Sequence, residues 1–388
     1  MSFASALRPE AVNAPQSGIV EISSYGRARE GVISLWVGEG DTPTPSFIAD
    51  AATRSLAAGE TFYTWQRGIP ELRDAIARYM TRSYGMPFER EQFYVTGGGM
   101  QAVQIAIRMV AGQGDEVIIP TPAWPNFGAA VGISGATTVT VPMGFGNRGW
   151  NLDMELMEQA ITPRSRVIII NSPSNPTGWT ASLEDLTAVL ALARKYNLWI
   201  VADEIYGRFV YGGLRAPSFH DVMAPTDKIL FVQTMSKNWA MTGWRLGWLE
   251  IPPELGPIAE NLIQYSTSGS PVFVQRAAIA ALDHGDSFIA HQIARAKQSR
   301  DIICDALAAT GKVRFLKPEG AFYLFFSVEG VEDSRKAALQ MIDDVGVGVA
   351  PGTAFGPGSD HFFRLCFARS PEQAKIAGER LAGWVRSL

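Results

Sequence analysis

The chain reads as an α/β protein built on a mostly parallel seven-stranded sheet flanked by helices, followed by a smaller α+β domain. Three observations predict this. Seven apolar runs of strand length stand at 93–96, 115–119, 137–142, 166–170, 198–202, 229–232 and 245–250. Several are separated by stretches of helical character, notably 100–111, 153–161 and 183–195, and strand alternating with helix is the pattern of a parallel sheet. After Pro252 the texture changes to long helical runs through about residue 309, then strands near 321–327, 346–350 and 362–367 with helices between and after.

In chain order, residues 1–34 carry Pro, Ser and Ala without a strong period and read as an arm with a short helix, belonging with the small domain. Leu35 to Pro45, LWVGEGDTPTP, is a strand-to-turn segment full of breakers. A helix is expected near Pro45 to Ala58. Another opens at Gly68-Ile69-Pro70, with Pro70 and Glu71 in its first turn. The strand–helix alternation begins at Phe93. The expected division is an arm over 1–34, a large domain over 35–275 and a small C-terminal domain over 276–388, which suits a length beyond that of a typical single domain.

A composition of 47% hydrophobic and 19% charged residues fits a globular enzyme with a substantial core. A net charge of -4 gives no electrostatic case for nucleic acid or an anionic membrane. The start, MSFASALRPE, lacks the basic-then-apolar pattern of a signal peptide, and no apolar run approaches the ~20 residues that span a membrane. Cys304 and Cys366 then read as reduced core thiols, and His220, His284, His291 and His361 show no zinc-like spacing. A cytoplasmic protein without a metal is expected.

The chemistry centres on Phe231 to Gly247, FVQTMSKNWAMTGWRLG. The chain has 8 Lys against 26 Arg, and none of the Lys precedes Lys195. Lys237 follows a strand, hemmed by Trp239, Met241 and Trp244. Apolar, cation-rich surroundings lower a lysine's pKa, as a Schiff-base lysine requires. Arg245, Thr234 and Ser236 would suit a phosphate. Those residues alone leave an ordinary loop lysine equally open.

Other segments add candidates. In Thr96 to Ala102, TGGGMQA, glycines free backbone N–H groups at a helix start, a natural phosphate seat, although such turns are common. Gly144 to Gly149 satisfies G-x-G-x-x-G, but no helix opens at its third Gly and no acidic residue follows at about 20 residues, so it reads as a loop. Trp124, in PTPAWPNF, suits either core packing or a stacking face. Asn171 to Gly178, NSPSNPTG, has turn composition. Asp203 ends an apolar strand, where α/β sites gather. A helix cap is the alternative role, and Glu204 is the competing carboxylate. Arg364, in FFRLCFA, needs an anion if buried, with a structural ion pair as the alternative.

Together these segments resemble the class I/II aminotransferases, fold-type I enzymes that use pyridoxal 5'-phosphate (PLP). SKNWAMTGWRLG resembles their SK…MxGWRxG segment, and NPTG, DEIY and the RLxFA pattern at Arg364 follow the family's order, from about Leu35 to Arg364. The resemblance implies that Lys237 holds PLP as a Schiff base. Gly98, Gly99, Met100, Thr234, Ser236 and Arg245 would seat the phosphate, Thr234 matching better than Ser236. Trp124 would stack on the ring, Asn175 and Tyr206 bond its oxygen, and Asp203 hold the pyridinium. Arg364 would grip the substrate α-carboxylate, with Gly38, Trp124 and Asn175 facing the substrate. Tyr63 matches a tyrosine that reaches the phosphate from the other subunit, so a homodimer is implied.

The implied activity is transfer of an amino group from an L-amino acid to a 2-oxo acid, with 2-oxoglutarate expected, in a ping-pong cycle. A C–S β-lyase or related eliminating enzyme of the same fold stays open, as does a non-catalytic ligand-binding domain. The first motif reads Gly38-Glu39-Gly40-Asp41-Thr42 where the family usually reads GEPDF. Some aspartate-preferring relatives carry a Lys at the Gly-rich turn, where this chain has Met100-Gln101. Dicarboxylate recognition would then fall to Arg27, Arg29, Gln101 or Trp124. Trp65, Trp124, Trp239 and the Tyr63 region suggest tolerance of apolar or aromatic side chains.

Overall fold

The computed structural model describes residues 3–146 and 149–388. Its centre is a seven-stranded sheet of β1 (Phe93–Thr96), β2 (Glu116–Thr121), β3 (Thr137–Pro142), β4 (Ser165–Asn171), β5 (Trp199–Asp203), β6 (Ile229–Thr234) and β7 (Gly247–Glu250). The spatial order is β1-β7-β6-β5-β4-β2-β3. Only β7 runs against the others, antiparallel to both β1 and β6. The seven expected runs are therefore the seven strands, with boundaries shifted by a few residues.

Both faces of this sheet are buried, which is why its strands read as unbroken apolar runs. Along them, successive side chains enter opposite layers. Val117, Ile119, Val167, Ile169 and Val201 pack with the buried face of the helix Gly99–Val110. Ile118, Ile168, Ile170, Ile200 and Ala202 pack with Leu186, Val189 and Leu190 of the helix Leu183–Tyr196. That second helix starts at a capping box: Asp185 N donates to Ser182 Oγ at 3.1 Å while Ser182 N donates to Asp185 Oδ2 at 2.9 Å.

The smaller sheet holds β8 (Val313–Phe315), β9 (Tyr323–Val328), β10 (Ala350–Pro351) and β11 (Phe362–Cys366) in the order β8-β9-β11-β10. The helices Asp286–Ala308 and Pro371–Ser387 pack on each other beside it. From the arm, Ile33–Ser34 pairs with Val347–Gly348 and the helix Gly18–Arg27 packs on Ser334–Val345. The expected junction at 275 and 276 lies inside the helix Val272–His284. Ala277, Ala278 and Ala281 of that helix are buried with Leu72 and Ile76 of Pro70–Tyr84. No helix among the described residues is long and apolar enough to cross a membrane.

Two local features differ from expectation. Trp124 is followed by a helix, Pro125–Ile133, that the one proline and two glycines of its sequence conceal. Pro125 occupies the first helical turn, where its missing N–H costs no hydrogen bond. Gly144–Gly146 and Gly149–Asn151 form an antiparallel hairpin rather than a plain loop, held by stacking of Phe145 on Trp150 at 4.6 Å. Asn147 and Arg148 of that motif lie outside the described residues.

The first turn of Gly99–Val110 crosses close over β7 because Gly247 has no side chain. A Cβ at Gly247 would stand 2.5 Å from the Gln233 carbonyl oxygen and 3.1 Å from Gly99 N. Gly247→Ala is expected to destabilise the fold by about 2 kcal/mol, as overpacking against backbone does. A melting temperature equal to that of wild type would contradict this.

Candidate active site

Five strands of the large sheet release their chains at one edge, and the loops that follow line a single cavity of about 460 Å³. From β1 come Gly99 and Met100; from β2, Trp124 and Asn126; from β4, Asn171 and Asn175; from β5, Asp203 and Tyr206; from β6, Thr234, Ser236 and Lys237. Arg245 precedes β7, while Gly38, Glu39, Tyr323 and Arg364 close the far side.

Lys237 Nζ donates to the Gly38 carbonyl oxygen at 2.7 Å. Burial pushes its pKa down to about 8, with Cys366 and Glu39 pulling it back up and Arg364 and Arg245 opposing them. The Tyr206 ring centroid is 6.0 Å from Nζ. Asp203 is 1% exposed, and burial pushes its carboxyl up to about 7 against the hydrogen bond from Ile205 N. Asn171 Nδ2 orients it, donating to Asp203 Oδ1 at 3.2 Å. Glu204, the competing carboxylate, turns away and accepts from Ser218 Oγ at 2.7 Å and Phe219 N at 3.1 Å. The acid of the cavity floor is therefore Asp203.

At one end lies an anion seat. Gly98 has φ +91°, and a Cβ on it would stand 2.7 Å from Arg245 Nη2, so only glycine lets the guanidinium come this close to the helix start. Arg245 Nη1 is steadied by the Thr242 carbonyl oxygen at 2.7 Å. Thr234 Oγ1 donates to Ser236 Oγ at 2.9 Å. Free first-turn N–H groups, two hydroxyls and a guanidinium suit a phosphate.

At the other end Arg364 is 1% exposed. Its Nη1 donates to Asn175 Oδ1 at 3.2 Å and its Nη2 to the Trp36 carbonyl oxygen. Its buried Nε has no partner among the described residues, the condition of a guanidinium built to take a carboxylate. A phosphorylated, cationic ring with a carboxylate-bearing substrate beside it thus matches the donor set: an anion seat, a buried acid between, and an arginine beyond.

The structure brings Gly38, Gly99, Met100, Trp124, Asn175, Asp203, Tyr206, Thr234, Ser236, Lys237, Arg245 and Arg364 to this cavity, with Gly98 directly behind Arg245. Tyr63 stands apart, 94% exposed on a second hollow with Phe62, Thr267 and Phe273. Trp239 is corrected: it is fully buried against Tyr79, at 5.4 Å between centroids, and lines no substrate space. The turn after β6 sends Lys237 to the cavity and Trp239 to the core behind it. Trp65 is exposed. Gln101 is not free for a ligand, since it accepts from Gly97 N and donates to Ser266 Oγ at 2.8 Å. Arg29 is paired with Asp343 at 2.8 Å, and Arg27 is exposed outside the cavity.

Sequence reasoning missed Tyr323, whose hydroxyl lies 2.7 Å from that of Tyr206, as well as Asn171 and Asn126. Asn171 opens the NSPSNPTG segment at the end of its strand, a position that could have marked it. Tyr323 carries no such local signal.

Residues 30–381 match the family described as aminotransferase class I and II. The chain is 34% identical over 378 residues to the aspartate aminotransferase of Thermotoga maritima, covering 96% of this chain and 97% of that one. It is 32% identical over 379 residues to a probable N-acetyl-LL-diaminopimelate aminotransferase of Bacillus subtilis, covering 97% and 94%. The solved structure of aspartate aminotransferase from Thermus thermophilus with maleate superposes with a TM-score of 0.90 at 33% identity, covering 97% of this chain and 99% of that one.

If Lys237 is the group that captures pyridoxal phosphate, its lowered pKa of about 8 and the nucleophilicity of the free amine mean that capture by the ligand-free protein is expected to quicken as pH rises. The rate should climb about tenfold per unit well below that pKa and level off above it. Stopped-flow mixing across the pH range would show this, and a pH-independent rate would contradict it.

Proposed function

The chain belongs to the class I and II aminotransferases, PLP-dependent transaminases of fold type I, and from that premise we propose that Lys237 carries the cofactor and moves the proton in amino transfer from an L-amino acid to 2-oxoglutarate by a ping-pong cycle. The observation that carries this reading is the placement of Lys237, with its lowered pKa, in one cavity with the buried Asp203 and the buried Arg364.

When bound, the cofactor supplies an electron sink for the charge left as a substrate Cα–H bond breaks. Gly98, Gly99, Met100, Thr234, Ser236 and Arg245 would hold its phosphate, and Asp203 its pyridine nitrogen, with a cation there returning the carboxyl to its ionised form. Asn175 and Tyr206 would hold the ring oxygen and Trp124 the ring face. Arg364 binds the substrate carboxylate, with Gly38 facing it, and so fixes which Cα bond stands ready to break. Lys237 Nζ, once its substrate is seated, takes the proton from Cα and gives it back later as a general acid.

We read the protein as a cytoplasmic homodimer in which Tyr63 completes the neighbouring subunit's phosphate site. Its exposed ring, with exposed Phe62 and Trp65 near it in the chain, supports that. The relatives are named as aminotransferases rather than lyases or regulators, so transamination is the reading we keep.

For the donor, the relatives' names point to aspartate and to an acylated diamino acid. Among the described residues, the Lys and Arg side chains that line this cavity are Lys237, Arg245 and Arg364, while Ile19, Val20, Val37 and Trp124 give apolar walls. We therefore infer a donor with an apolar or aromatic side chain.

Glutamate is expected to convert the cofactor's visible band in wild type and 2-oxoglutarate to restore it. Lys237→Ala should lower turnover about a thousandfold or more. A donor panel in which only aspartate and glutamate react would overturn the side-chain inference.

A further inference from the structure

Among the described residues, the cavity is lined beside Asp203 by one other carboxylate, Glu39, which no role above uses. Glu39 is the residue after Gly38, whose carbonyl oxygen accepts from Lys237 Nζ. Its side chain turns back across the turn that leads to the anion seat: Thr242 Oγ1 donates to Glu39 Oε2 at 2.9 Å. Thr242 in turn supplies the carbonyl oxygen that steadies Arg245 Nη1. Glu39's own backbone is pinned independently, its carbonyl oxygen accepting from Arg369 Nη1 at 2.9 Å and lying 3.5 Å from Cys366 Sγ. Arg295, which lines a space with Glu39, pairs with both oxygens of Asp41.

We propose that Glu39 is a positioning residue of the transamination site: it holds a negative charge beside Lys237 that favours the protonated side chain, and it fastens the Gly38 loop to the Thr242–Arg245 turn. The proposal rests on the reading of Lys237 as the cofactor-bearing lysine. The groups facing Lys237 divide by charge. Glu39 and Cys366 favour its protonated form, Arg364 and Arg245 oppose it, and Asp203 faces it across the cavity floor. Arg245 and Arg364 stand on the opposing side, and Glu39 is the carboxylate that offsets them from the Gly38 loop. Glu39 also lines, with Lys237, a smaller space shared with Gln292 and Arg295.

The test is a pH titration of the holoenzyme's visible absorption band in wild type, Glu39→Gln, Glu39→Asp, Thr242→Val and Lys237→Ala. Glutamine keeps an oxygen that can accept from Thr242 and removes only the charge. The expected result is a midpoint about one pH unit lower in Glu39→Gln, the size of a unit charge acting at close range through partly screened protein. Glu39→Asp should stay within a few tenths of a unit of wild type, and Thr242→Val should move the midpoint by less than a third as much as Glu39→Gln. An unchanged midpoint in Glu39→Gln, or equal shifts in Glu39→Asp or Thr242→Val, overturns the proposal while leaving Lys237 in its role. A band identical in Lys237→Ala and wild type overturns the assignment of Lys237, and the proposal with it.

Discussion

The contact on which the site depends is the 2.7 Å hydrogen bond from Lys237 Nζ to the carbonyl oxygen of Gly38. It ties the loop after β6 to a segment nearly two hundred residues earlier and keeps the amine out of bulk water. An ammonium in that position loses hydration and gains one backbone acceptor, so its proton is held less tightly than in solution. The rest of the cavity compensates in kind. Arg245 and Arg364 would drive the amine further toward neutrality, while Glu39 and Cys366 restrain it. In the role proposed for it, the lysine both attacks a carbonyl and carries a proton, and an intermediate setting suits both tasks.

What lets so many distant residues meet is the parallel sheet. Its strands end at one edge, so loops separated by long stretches of chain face the same space. The helix Gly99–Val110 contributes its start rather than its flank, and Gly98 and Gly247 allow that start to lie against Arg245 on one side and β7 on the other. Packing of the core and placement of the anion seat are thus the same event. A Cβ at Gly247 disturbs the helix terminus through backbone contact, whereas one at Gly98 meets the Arg245 guanidinium directly.

Much of this was legible in the sequence because each signal was local. Unbroken runs such as Val167 to Ile170 mark strands buried on both faces, and Lys237, Asn175, Asp203 and Arg364 each stand in a short segment with its own pattern. What escaped depends on tertiary placement. Tyr323 matters because its hydroxyl meets that of Tyr206, a pairing that neither segment announces. The helix after Trp124 was hidden because proline at a helix start and proline in a turn look alike in a sequence. Trp239 was misplaced because proximity in sequence to Lys237 says nothing about side: two residues on from the lysine, its ring is in the core with Tyr79.

Asp203 and Glu204 show how hydrogen-bond partners assign different tasks to neighbouring buried acids. Both are buried and both are raised by desolvation. Glu204 meets the hydroxyl of Ser218 and the backbone N–H of Phe219, so its demand for hydrogen bonds is met within the fold. Asp203 receives Asn171 and Ile205 on one oxygen, Oδ1, and presents itself to the cavity. A carboxylate in that state gains most from a positive group brought to it, just as the guanidinium of Arg364 with its unmatched Nε gains most from a carboxylate. The charges that the fold leaves incompletely answered therefore specify the ligand: negative at the glycine turn, positive at Asp203, negative again at Arg364. That sequence of charges fits a phosphorylated pyridine with an amino acid beside it, and it follows from which polar atoms the fold satisfies and which it does not.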